Sequence, residues 1–219
     1  MIEACAERIP HALAGRSGKV FYSGRTAFEN PAPIYALGLN PGGDPTNYQV
    51  ETIATHTNAV LHSLPSDWSA YRDESWEGAP PGTYGMGPRV LHLFKGLGYS
   101  VGHVPCSNLI FVRSRNERDL ASDFSGLSDL CWPFHSFVIE ALKPRAILCL
   151  GRTAGTYVRR RLNANSLCGE FVETNRRRWR SRVFQSDEGT KVIIVSHPSR
   201  ADWTTRDADP TELVRMALQ

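Results

Sequence analysis

Long apolar runs are missing from this chain. None approaches the roughly 18–20 residues that a membrane-spanning helix needs, and the start, Met1-Ile2-Glu3-Ala4-Cys5-Ala6-Glu7-Arg8, carries acidic residues where a secretory signal would place its apolar core. No membrane association is expected, and the cytoplasm is the expected compartment. Cysteine is sparse: Cys5, Cys106, Cys131, Cys149 and Cys168 are an odd number, scattered, without a C-x-x-C pair or a histidine at zinc-finger spacing. A disulfide framework is thereby disfavoured, and no metal is expected. Neither G-x-G-x-x-G nor G-x-x-x-x-G-K-[ST] occurs, so there is no dinucleotide fingerprint and no phosphate loop. Internal repeats are absent, as is any Ser-, Gly- or Pro-rich linker, and the 219 residues read as one domain, 1–219.

What is present fits a folded α/β protein. Hydrophobic residues make up 41% and charged residues 21%, too apolar for a disordered chain. The net charge of +3 is modest, but Arg159-Arg160-Arg161 and Arg176-Arg177-Arg178-Trp179-Arg180 concentrate base in the C-terminal half. A solvated basic face and a nucleic-acid patch are both open readings of those clusters. Strand-like runs at 34–39, 104–112, 145–150 and 191–195 alternate with helical patterns at 2–14, 47–63, 90–98, 129–142, after 151 and from 208. Residues 64–88 read as a long irregular segment and 171–187 as a polar hairpin. The expected fold is a three-layer α/β/α sandwich around a mostly parallel, four-stranded sheet.

In an open parallel sheet, ligands bind beyond the carboxyl ends of the strands. Asn40, Thr153 and His197 follow the first, third and fourth of these strands, and Asn108 lies within the second. Amide and imidazole groups suit a neutral heterocycle better than a phosphate chain.

Gly38-Leu39-Asn40-Pro41-Gly42 and Ser196-His197-Pro198-Ser199-Arg200, each closing an apolar strand, resemble the two active-site motifs of the uracil-DNA glycosylase superfamily. Ser107-Asn108-Leu109-Ile110-Phe111-Val112-Arg113 is similar to that family's uracil-reading strand. The block from Cys131-Trp132-Pro133-Phe134 to Leu150-Gly151 resembles its iron–sulfur branch. The resemblance covers about residues 30–205. Of the four cysteines that branch requires, only Cys131 stands at a matching place, and Val112 occupies another, so no cluster and no other cofactor is expected.

The resemblance implies a monofunctional, monomeric glycosylase that hydrolyses the N-glycosidic bond of uracil in DNA, leaves an abasic site and needs no obligate protein partner. Such an enzyme must flip the base out and stabilise an oxocarbenium-like state as negative charge builds on the departing base. Asn40 would position the water and His197 would donate to the uracil O2. Asn108 would read the O4 and N3–H edge, with Gly38, Leu39, Pro41 and Gly42 shaping the pocket. Tyr84 is the candidate stacking aromatic, in competition with Tyr48 and Trp76. Ser196, Pro198, Ser199, Arg200, Ala201 and Thr153 would lie against the DNA backbone or the vacated stack. Two alternatives stay open: a non-catalytic nucleic-acid-binding or damage-sensing module, and a glycosylase for another deaminated base such as hypoxanthine. Asn40 and His197 are expected to carry the chemical step while adding little to folding.

Overall fold

The computed structural model describes residues 1–29 and 31–219. Ile34–Gly38 forms strand β1 with all five side chains buried, as a strand covered on both faces must be. It lies between β2, Cys106–Asn108, and β3, Ala146–Leu150, and pairs with both in parallel. On its far side β3 pairs in parallel with β6, Lys191–Val195. Two further strands, β4 (Ser166–Val172) and β5 (Arg180–Gln185), add an antiparallel hairpin beyond β6, giving the order β2-β1-β3-β6-β5-β4. The sheet is therefore mixed and six-stranded, with a parallel core, and the four-stranded expectation is corrected. The hairpin reads as polar because β5 turns Arg180 and Arg182 outward while burying Ser181 and Val183; its backbone pairs antiparallel with β6.

Alternation along the strands divides the interior in two. Tyr35, Leu37, Ile147, Cys149 and Val192 face one core, built with α1 (Ile2–Ala6), α2 (Ile53–His62), α5 (Phe124–Leu142) and α6 (Arg152–Arg161). Ile34, Ala36, Leu148, Leu150, Ile193 and Val195 face the other, closed by α4 (Gly87–Gly96), α7 (Thr211–Ala217) and Trp203. A short helix, α3 (Ala70–Asp73), interrupts the long segment before α4. Among the described residues, no helix is long and apolar enough to cross a membrane.

Local chemistry explains where the elements depart from the periodicity. The first helix ends at Ala6, well before Pro10, and only a 3-10 turn, His11–Leu13, follows. α2 starts at Ile53 because Thr52 and Thr55 form a reciprocal capping box. The second strand is shorter than 104–112: Leu109 to Val112 are buried beneath Phe134 and its neighbours, so their apolarity reflects core packing and not a strand. Leu109 and Ile110 still donate to the Gly38 and Leu39 carbonyls (both 2.9 Å), which keeps this segment beside the end of β1.

Candidate active site at the strand ends

The rim begins with a close approach between two parallel strands. Gly38 stands in register with Asn108, and a Cβ built on Gly38 would lie 2.1 Å from Asn108 Oδ1. Only glycine leaves room for that amide. Asn108 is 4% exposed, and its buried Nδ2 has no partner at hydrogen-bond distance among the described residues. A buried amide with an unused donor is costly unless a ligand completes it. The backbone N–H of Tyr22 donates to the Cys106 carbonyl (2.9 Å), and its phenol approaches the Asn108 amide. Burial raises the Tyr22 pKa and keeps the hydroxyl protonated.

Two residues beyond Gly38, the chain turns at Asn40. Asn40 Nδ2 donates to the carbonyls of Pro41 (2.8 Å) and Val112 (3.2 Å) and to Ser114 Oγ (2.9 Å). Carbonyl oxygens only accept, so the nitrogen of this amide is the atom fixed against the protein, and Oδ1 accepts from no donor among the described residues. Arg113 braces the same turn by donating to the Gly42 carbonyl and lying 4.0 Å from the Tyr48 ring centroid. Gly42 has open space around it. Its neighbour Gly43 is the residue that needs to be glycine, with φ +108° and Tyr48 where a Cβ would point.

On the other side of β3 stands His197, after β6. Gly151, ending β3 with φ +120°, makes room for the imidazole: a Cβ there would sit 3.1 Å from His197 Cδ2. The backbone N–H of Ser199 donates to His197 Nδ1 (3.1 Å), and Ser199 Oγ lies 2.8 Å from the same atom. Because an amide N–H can only donate, Nδ1 must be the bare acceptor and the proton sits on Nε2. Burial lowers the His197 pKa, Arg200 adds to the effect, and Glu117 opposes it, leaving the pKa below the ordinary value. At neutral pH the ring is thus an uncharged donor through Nε2. Asn40 and His197 end strands separated by β3 alone, two interstrand spacings or about 10 Å apart.

The remaining candidates sort by what already occupies them. Ser199 is engaged with His197, so it orients the imidazole and does not present a free hydroxyl to phosphate, and Ala201 is fully buried in the core beside Trp203, out of reach of any backbone. The Thr153 hydroxyl donates to Glu117, which brings a carboxylate to the rim. Pro198 is buried and its carbonyl accepts from Arg89 of α4 (2.6 Å), while the Ser196 carbonyl accepts from Trp203 Nε1 (3.1 Å). Leu39 lines the first turn and Arg200 is exposed beside the second. Tyr84, 49% exposed, stands three residues ahead of α4, whose first turn reaches the Pro198 loop through Arg89. Tyr48 packs at the Gly43 turn and Tyr22 lies beside Asn108; Trp76 instead donates from Nε1 to Glu74 (2.9 Å). Tyr22, Ser114, Glu117 and Gly151 were not legible as site residues. Ser114 alone left a trace, as part of the polar Arg113-Ser114 step that ends an apolar run.

No family model matches this chain, and no curated protein matches it.

Proposed function

We propose that the protein is a monofunctional glycosylase that hydrolyses the N-glycosidic bond of uracil in DNA, on a uracil-DNA glycosylase-like fold. One observation carries the reading: three rim side chains each retain an unused hydrogen-bonding function suited to one part of that reaction. The unused Asn40 Oδ1 accepts from a water held against the sugar carbon, and an amide does not titrate near neutral pH, so its role is alignment of the nucleophile. The bare Asn108 Nδ2 meets a carbonyl such as uracil O4, and the amide oxygen accepts from N3–H. Cytosine offers an amino donor and an unprotonated N3 at those places and is refused.

His197, neutral with its proton on Nε2, donates to the uracil O2 as charge gathers there. Removing a donor aimed at developing charge typically costs about 10²–10³-fold in rate. No lysine stands among the three residues, so no Schiff base forms and the product is an intact strand with an abasic site. The test is single-turnover excision from an oligonucleotide carrying one uracil, developed by alkaline cleavage. His197→Ala and Asn40→Ala should each slow excision by about 10²-fold or more. Absence of excision by the wild type would overturn the reading in favour of a binding module. Release of hypoxanthine in place of uracil would move it to another deaminated base.

A further inference from the structure

A groove of about 920 Å³ opens beside His197, between α6 and the β4–β5 hairpin. Six arginines line it and no carboxylate does. Arg180 and Arg182 are held by Glu170, whereas Arg152, Arg178 and Arg200 have no carboxylate partner among the described residues. Trp179 is part of the same wall and is 39% exposed.

The wall is fixed to the rim. Between β4 and β5 the chain turns at 173–179, where the Glu173 N–H donates to the Trp179 carbonyl (2.8 Å). Arg177 spans the gap: its guanidinium pairs with buried Glu173 (3.1 Å), donates to the Arg200 carbonyl and lies 4.6 Å from the Trp179 ring centroid. One face of Trp179 is backed by Arg177. The indole is consequently a platform held at a set position relative to His197.

We infer that this groove binds an unpaired DNA strand flanking the excised nucleotide, with a base stacked on Trp179, and that the protein prefers single-stranded to duplex DNA. The inference rests on the glycosylase reading for the identity of the nucleic acid. A concave, arginine-lined channel tracks one sugar-phosphate backbone, and an aromatic in its wall gains from a base only if that base exposes its face. In a duplex the neighbouring pairs cover those faces. Single strands are held in this way by electrostatic channels with stacking platforms.

Anisotropy with a labelled, uracil-free oligonucleotide, single-stranded or annealed to its complement, separates the possibilities. The wild type should bind the single strand at least about tenfold more tightly than the duplex at equal salt. Trp179→Ala should weaken single-strand binding by about tenfold or more, and Trp179→Phe should restore most of it. Duplex binding should not change in either. Arg178→Ala and Arg200→Ala should each reduce the salt slope for the single strand by about one. Equal affinity for the two forms, or indifference to Trp179→Ala in a variant that melts like the wild type, would overturn the groove assignment. Excision is scored separately on the same oligonucleotide with one uracil. Excision without strand preference rejects the groove alone, while Trp179-dependent binding without excision rejects the glycosylase reading.

Discussion

At the scale of single residues, the candidate site depends on which half of each polar side chain the protein has already used. His197 is the clearest case, since Ser199 occupies Nδ1 twice and thereby sets the tautomer. Ser199→Ala removes the hydroxyl and keeps the amide, so excision should fall by about tenfold with an unaltered melting temperature. The check is a single-turnover rate and a thermal melt on one preparation; an unchanged rate would show that the backbone N–H suffices. Asn40 is different, because its hydrogen bonds argue against the expectation that this residue adds little to folding. Its amide ties Pro41, Val112 and Ser114 together, so Asn40→Ala should lower stability by about 1–3 kcal/mol besides slowing excision. Denaturant unfolding measures that cost. Asn40, Asn108 and His197 were legible because each is polar at the end of, or within, an apolar run. For Ser199 and Ala201, proximity to a motif did not show that one side chain faces the histidine and the other the core.

The elements convert these contacts into positions. β1 and β2 are held in register so that Gly38 lies against Asn108, and the obstruction that a methyl group would create falls on the movable end of a side chain, not on backbone. Gly38→Ala should therefore fold with a melting temperature near that of the wild type, displace the Asn108 amide and lower uracil excision by about 10²-fold. A variant as active as the wild type would refute the role of that amide in reading the base. The alternation of apolar runs with helical patterns made β1, β3 and β6 legible, because strands covered on both faces are largely apolar, whereas β2 is the short Cys106-Ser107-Asn108 step ahead of the apolar run that suggested it. The two added strands escaped notice as sheet members, since arginines alternate with small or apolar residues through β5 and most of β4 is exposed. Likewise the capping box at Thr52 and Thr55 decides where α2 begins, a local bond that hydrophobic periodicity does not register.

For the whole molecule, the relevant balance is the charge buried behind the site. Lys19 is almost fully buried yet bonded to Glu74 (2.7 Å) and Glu51 (3.1 Å); burial alone would lower its pKa, but the carboxylates outweigh it and hold it raised. Nearby, His56 has no hydrogen-bond partner on either ring nitrogen among the described residues, its Nε2 lying 4.0 Å from Glu74, and burial, reinforced by Lys19 and Arg113, takes its pKa down to about 3. An unfolded histidine takes up a proton near pH 6.5. The folded state thus binds fewer protons between about pH 6.5 and about 3, and stability is lost as pH falls through that window. His135, its Nδ1 2.8 Å from the Tyr35 hydroxyl and lowered by burial to about 4, acts in the same direction. Melts at pH 7.5 and pH 5 should show a marked drop for the wild type and a smaller one for His56→Phe. Equal drops would place the acid sensitivity elsewhere.

The order of the strands also governs the time course of assembly. β4 and β5 are joined by a short turn, whereas Ala36 of β1 must find Leu148 of β3, and Leu150 must find Val195 of β6. Contacts between segments far apart in the chain carry a larger loop-closure cost and form slowly. After dilution from denaturant, the hairpin bearing Trp179 is expected to gain its structure first and the rim that unites Asn40, Asn108 and His197 last; because Arg177 ties the Trp179 wall to the Arg200 loop, the groove is completed only when that rim forms.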